Sequence, residues 1–167
     1  NPEEVWGEEL RALLSQAVKR RLISDVPLGI FLSGGIDSSA VLAFATQHVP
    51  AAQVKTFSIG FSEPSFDESV YARRVAEHFG SQHQQDILSL DKASTLVSQV
   101  LSRLDEPMGD SSILPTFMLS RFARTGVTVA LGGDGGDELF AGYDPFKALR
   151  LAQWYQSLVP SWMHRGM

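Results

Sequence analysis

Ser33, Gly34, Gly35, Asp37, Ser38 and Ser39 follow a short apolar run, Leu28 to Leu32, and precede an apolar-periodic segment, Ala40 to Phe44. The pattern predicts a buried strand, a tight turn and a helix N-terminus. Gly34 and Gly35 lack a Cβ, so their N–H groups can come close to a ligand, and positive φ is open to them. The three serines add hydroxyl donors, and the helix start adds the positive end of its dipole. Such a set suits phosphate oxygens. Asp37 works against it, because a carboxylate repels phosphate. A hard cation such as Mg²⁺ removes the conflict by taking carboxylate and phosphate oxygens together. These residues point to a nucleotide held with magnesium; the plainer alternative is a helix cap. Neither G-x-x-x-x-G-K-[ST] nor G-x-G-x-x-G is present, so the Walker loop and the dinucleotide fingerprint are excluded.

A second run has the same character. Gly132-Gly133-Asp134-Gly135-Gly136 holds four glycines in five residues and leads into Asp137-Glu138. Such a loop is entropically expensive to order. A plain turn needs one glycine, not four. The functional reading is that backbone passes close to a nucleotide here. Asp137 then joins Asp37 as a second magnesium ligand, and Asp134 points at the reacting centre.

The elements that must position these loops follow from periodicity. Pro2 to Arg21 predicts a covering helix, with Val5, Trp6, Leu10, Leu13, Leu14, Ala17 and Val18 as its apolar stripe. A helix from Ser38 to about His48 follows the first loop. Val54 to Ile59 predicts a second strand closing at Gly60. Asp67 can cap the next helix, whose buried face is Val70, Tyr71, Ala72, Val75, Ala76 and Phe79 before Gly80 ends it. Gln82 to Leu88 is polar enough for an edge strand. Asp91 is the expected cap of a further helix. Ile113 to Arg124 is helical, Val127 to Leu131 is apolar and β-branched and hence a central strand, and Asp144 to Leu158 is a last helix stopped by Pro160. The alternation predicts a doubly wound, mainly parallel α/β sheet with helices on both faces. Ligands of such sheets gather at the carboxyl ends of strands, near the switch in strand order, and both glycine loops fall at strand ends.

Composition narrows the classes. The 167 residues suffice for one domain, and 44% hydrophobic with 20% charged content excludes a disordered chain. A net charge of −5 without a basic block argues against nucleic acid as a partner. No cysteine is present, which removes disulfides, thiolate zinc sites and a thiol nucleophile and fits the cytoplasm. No run is long enough to cross a bilayer and none reads as a signal peptide, so no membrane partner is expected. Lys19-Arg20-Arg21 reads as a solvated helix end. His48, His78, His83 and His164 stand at no metal spacing.

Ser33-Gly34-Gly35-Ile36-Asp37-Ser38 resembles the S-G-G-x-D-S loop of the ATP pyrophosphatases, which cleave ATP between its α and β phosphates. The segment from Gly132 to Tyr143 resembles the S-G-E-G-S-D-E-x-F-x-G-Y stretch of the B-type, glutamine-hydrolysing asparagine synthetases. Asp105-Glu106-Pro107, Asp110-Ser111-Ser112 and Phe66-Asp67-Glu68 with Tyr71-Ala72 are similar to further segments of that family. GMP and NAD synthetases share the first motif but not the second.

The resemblance implies a PP-loop fold of the adenine nucleotide alpha hydrolase type. It implies adenylation of aspartate by Mg·ATP with release of pyrophosphate, then displacement of AMP by ammonia from glutamine. Carried over by motif, Ser33, Gly34, Gly35, Asp37, Ser38 and Ser39 hold pyrophosphate and magnesium. Leu32, Ile59, Gly132 and Gly133 flank the adenosine, and Asp137 is the second metal ligand. Asp134 matches a glutamate assigned to proton transfer from the attacking ammonia, and is one methylene shorter; Gly132 stands where serine is commoner. The resemblance also implies that residues 1–167 are one synthetase domain cut short at its C-terminus, with a glutaminase domain elsewhere on the parent chain and little activity alone. A homodimer is one assembly open to it. Two other readings stand beside it: a related amide-forming synthetase of the β-lactam or peptide-cyclising type, and a module that binds nucleotide without turnover.

Overall fold

The computed structural model describes residues 1–65 and 67–158; Phe66, Pro160 and His164, named above, lie outside them. The chain divides into two compact units, Asn1–Gly133 and a second that begins at Asp134.

The first unit runs α1 (Pro2–Arg21), β1 (Leu28–Phe31), α2 (Ile36–Thr46), a 3-10 turn (Ala51–Gln53), β2 (Lys55–Phe61), α3 (Ser69–Phe79), β3 (Gln82–Leu88), α4 (Leu90–Leu101), α5 (Ile113–Ala123) and β4 (Val129–Leu131). All strand pairs are parallel, in the order β3-β2-β1-β4. Side chains two residues apart along a strand share a face, and each face of the sheet has its own core. Ile30 and Leu32 pack with Val18, Leu42, Ala45, Val54, Ala72 and Ala76, from α1, α2, α3 and the residue before β2. On the other face Phe31 and Phe57 pack with Leu119, Phe122, Ala123 and Val127. The Phe57 ring meets Phe122 edge-on at 5.7 Å, and Gly29 leaves the space it needs, since a Cβ there would lie 2.8 Å from that ring.

The chain therefore builds β1, β2 and β3 outward in one direction, then crosses to lay β4 on the other side of β1. The switch in strand order lies between β1 and β4, where doubly wound sheets hold ligands.

Several expected boundaries and burials differ. Among the described residues β4 is an edge strand paired with β1 alone, not a central one, and Val129 is 40% exposed. Its apolar, β-branched composition answers to the helix-covered face, which an edge strand needs as well. Val127 precedes the strand and sits in the second core instead. The stripe of α1 buries only Val18, whereas Val5, Trp6, Leu10 and Leu13 are exposed; the helix meets α2 near its C-terminal half, where Ser15 Oγ lies 2.9 Å from His48 Nε2. α2 starts at Ile36 and ends at Thr46. β2 continues through Gly60 to Phe61. Val70 and Tyr71 are exposed while Ser69 is buried, because α3 meets the sheet through its small residues. Ser89, not Asp91, caps α4, its Oγ accepting from Lys92 N at 3.3 Å.

The second unit holds a short helix that periodicity misses, α6 (Gly136–Phe140), and α7 (Asp144–Leu158). Among the described residues no helix is long and apolar enough to cross a membrane.

Candidate nucleotide site

The loop after β1 is built from its own hydroxyls. Ser33 Oγ lies 2.9 Å from Ser38 Oγ, Gly35 N donates to Ser33 Oγ at 3.2 Å, and Ser33 N donates to Ser38 Oγ at 3.2 Å. Ser38 Oγ is also 3.3 Å from Gly35 O. Leu32 N donates to Phe57 O at 2.9 Å, which carries the β1–β2 ladder up to the loop. Gly34 has φ +86, the left-handed region that glycine adopts without strain.

Both sides of this loop are pressed by backbone. A Cβ on Gly34 would lie 2.5 Å from Ala72 N and 2.6 Å from Tyr71 Cβ, in the first turn of α3. A Cβ on Gly133, two residues past β4, would lie 2.7 Å from Ser38 N and 3.0 Å from the carbonyl carbon of Asp37. The strand ends on either side of the switch point thus meet at the start of α2.

Phosphate fits these residues. The N-cap of α2 is Gly35, with no side-chain cap, and the first intrahelical bond there is Ser39 N to Gly35 O at 3.0 Å. The amides of Ile36, Asp37 and Ser38 therefore lack intrahelical acceptors, and an anion supplies them. Asp37 lies in that turn, partly exposed. Among the described residues no group of three or more His, Cys, Asp or Glu is ready to hold a metal. Asp37 could offer Mg²⁺ one carboxylate beside phosphate oxygens.

Ser39 departs from the expected pattern: its Oγ is buried and has no hydrogen-bond partner. Leu32 is buried, so its side chain belongs to the core, and Ile59 is half-buried on β2 opposite Asp86. Asp134 and Asp137 belong to the second unit. Asp134 is exposed in the turn before α6, where Gly135 has φ +91, and Asp137 is in the first turn of α6. The Asp137 carboxylate packs against Gly142, leaving no room for a Cβ there. Gly142 N donates to Asp137 O at 3.0 Å, and Tyr143 Oη donates to Glu138 Oε1 at 2.7 Å, a bond that holds the Glu138 carboxyl below its ordinary value.

The role of the first turn of α3 is what sequence reasoning missed. Asp67 Oδ2 accepts from Ser69 Oγ at 3.0 Å, and Oδ1 accepts from Ser69 N at 3.1 Å and Phe61 N at 3.2 Å. The Ser69 bonds lead in holding the Asp67 carboxyl below its ordinary range. The signal lay in Asp67-x-Ser69 with Ala72, a capped start and a small residue at the contact.

The family model described as asparagine synthase matches residues 9–166. The chain is 45% identical over 136 residues to a putative glutamine-hydrolyzing asparagine synthetase 2 of Methanocaldococcus jannaschii, covering 81% of this chain and 26% of that protein. It is 35% identical over 145 residues to the glutamine-hydrolyzing asparagine synthetase 1 of Bacillus subtilis, covering 87% of this chain and 23% of that one. The chain thus spans about a quarter of the length of these relatives. In fold it is similar to a glutamine-dependent NAD+ synthetase from Acinetobacter baumannii in complex with ADP, with a TM-score of 0.54 at 18% identity, covering 87% of this chain and 32% of that one.

Proposed function

This chain belongs to the asparagine synthase family, and from that premise we propose that it is the ATP-binding part of a glutamine-hydrolysing asparagine synthetase, a cytoplasmic ligase. The observation that carries the reading is the closure of Gly133 onto Asp37 and Ser38 at the start of α2. A fold corner that served stability alone would have no need of backbone packed this tightly around amides that lack acceptors.

In this reading the amides of Ile36, Asp37 and Ser38 orient the phosphates, beside Gly34, Gly35 and the Ser33 and Ser38 hydroxyls. Asp37 would be a magnesium ligand, with Asp137 assigned the same role by the family motif alone, and the metal would neutralise phosphate charge. A carboxylate oxygen of aspartate bonds to the α-phosphorus and the bond to pyrophosphate breaks. The acyl adenylate is a good electrophile where the free carboxylate was a poor one. Ammonia nitrogen then attacks the acyl carbon, AMP leaves, and Asp134 takes the proton that nitrogen sheds. Leu32, Ile59, Gly132 and Gly133 line the adenosine through main chain, which agrees with the burial of the Leu32 side chain. Ser39 enters through its position in the helix start, since its hydroxyl is enclosed.

The test is an assay of the full-length parent for AMP and pyrophosphate with ATP, aspartate and ammonia. Aspartate-dependent formation of both, with asparagine, is expected. Product with another carboxylate and none with aspartate overturns the substrate; nucleotide binding without turnover overturns the enzyme reading.

A further inference from the structure

The first turn of α3 has no chemistry of its own, yet it is the backbone against which the phosphate loop is set. Gly34 could carry no side chain without displacing Ala72 N and Tyr71. The left-handed φ of +86 at Gly34 is thus held by a neighbouring helix as well as by the hydroxyl network inside the loop. Asp67 lies two residues before that helix and accepts from its first amide, Ser69 N. Both oxygens of Asp67 are engaged, one by the two amides of Phe61 and Ser69 and the other by the Ser69 hydroxyl. Phe61 is the last residue of β2, and Ser69 is the first of α3 and buried. Gly60 completes the arrangement, because a Cβ there would lie 3.1 Å from Asp67 Oδ1 and 2.9 Å from Gln85 Nε2. One carboxylate therefore ties the end of β2 to the start of α3, and α3 abuts the loop.

We propose that Asp67 is a positioning residue for the phosphate loop: by fixing the first turn of α3 to the end of β2, it holds Gly34 and Gly35 in the geometry that receives a nucleotide. The brace rests on geometry alone; its consequence for binding rests on the nucleotide reading above. The idea separates a positioning role from a merely structural one by locality. Loss of a core contact loosens the whole first unit, whereas loss of Asp67 loosens the loop first.

Hydrogen exchange of this chain, read on the hydrogen-bonded loop amides of Ser33 and Gly35, tests the brace, and calorimetric titration with Mg·αβ-methylene-ATP tests its consequence. Asp67→Ala should speed exchange at Ser33 and Gly35 by about tenfold or more, because two amides and a buried hydroxyl lose their acceptor. Val127→Ala, which thins the core on the opposite face, should speed exchange of those amides only in step with the rest of the first unit. Asp67→Asn keeps an acceptor for the amides and a donor the Ser69 hydroxyl can accept, so it should recover most of the protection. Should Asp67→Ala fail to fold, Ser69→Ala, which removes only the hydroxyl bond, should give a smaller change confined to the same amides. Affinity for the analogue should fall in the same order, by about tenfold for Asp67→Ala. Exchange at Ser33 and Gly35 that is unchanged, or that rises only in step with the whole unit, overturns the proposal. So does wild-type affinity in a variant whose loop has loosened. A wild-type chain that binds no analogue, while its loop still responds to Asp67→Ala, overturns the nucleotide reading and supports the brace.

Discussion

In the loop after β1 a Cβ on Gly34 would come within 2.5 Å of backbone, whereas at Gly135, with nearly the same φ (+91 against +86), nothing lies within 4 Å. Gly133, close to Gly135 in the chain, is different again: its φ is unremarkable but a Cβ would strike Ser38 N at 2.7 Å. Two glycine runs that look alike in sequence thus use glycine for separate reasons. In the first loop both steric room and dihedral freedom are needed at one residue. In the second run they are divided, room at Gly133 and freedom at Gly135. The difference teaches that a glycine count measures neither need; only the packing around each position does.

Substitution by alanine should order the three positions. Gly34→Ala meets both penalties and should cost at least about 3 kcal/mol, or prevent folding, as read from urea unfolding. Gly133→Ala adds one methyl against backbone and should cost about 1–3 kcal/mol while weakening Mg·ATP-analogue binding in titration. Gly135→Ala pays only for its positive φ, about 1 kcal/mol by the same unfolding measurement, and Gly135→Asn should recover part of that. If Gly135→Ala proves as costly as Gly34→Ala, the distinction between the two loops collapses.

A fourth, smaller effect lies outside both loops and serves as their control. His83 at the start of β3 accepts or donates to Thr56 Oγ1 at 3.0 Å and to Ser58 Oγ at 3.2 Å. Burial first, and the charge of Arg73 second, push its pKa below the ordinary 6.5. The unfolded chain therefore binds this proton at a higher pH than the folded one, so stability should decline as pH falls from about 7 through 6.5 and level off below the folded pKa. His83→Gln should flatten that slope in unfolding curves between pH 7 and 5. A slope that survives the substitution assigns the titration to another group.

Helix and strand periods placed every strand of the first unit, and β3 and α7 agree with expectation to the residue. The departures share a cause. Val5, Trp6 and Leu10 form an apolar stripe that the described structure leaves exposed, because a stripe states what a helix can bury and not what stands beside it. β4 is apolar and yet an edge strand, because composition reports the faces of a strand and not the number of its neighbours. Asp67 was legible as a cap, but its reach back to Phe61 was not, since that bond depends on where β2 ends.

By itself the sequence determined the alternation of strands and helices, the anion-seeking turn at Ser33-Gly34-Gly35 and the family to which these motifs point. Those are local matters, set by side-chain period, the dihedral freedom of glycine and the unpaired amides of a helix start. Only the tertiary structure decided that β1 and β4 are neighbours, that Gly133 closes on Ser38 and that α3 stands against Gly34. Each of these contacts joins residues far apart in the chain, and it forms only because two cores, on opposite faces of one sheet, fix the helices where they pack.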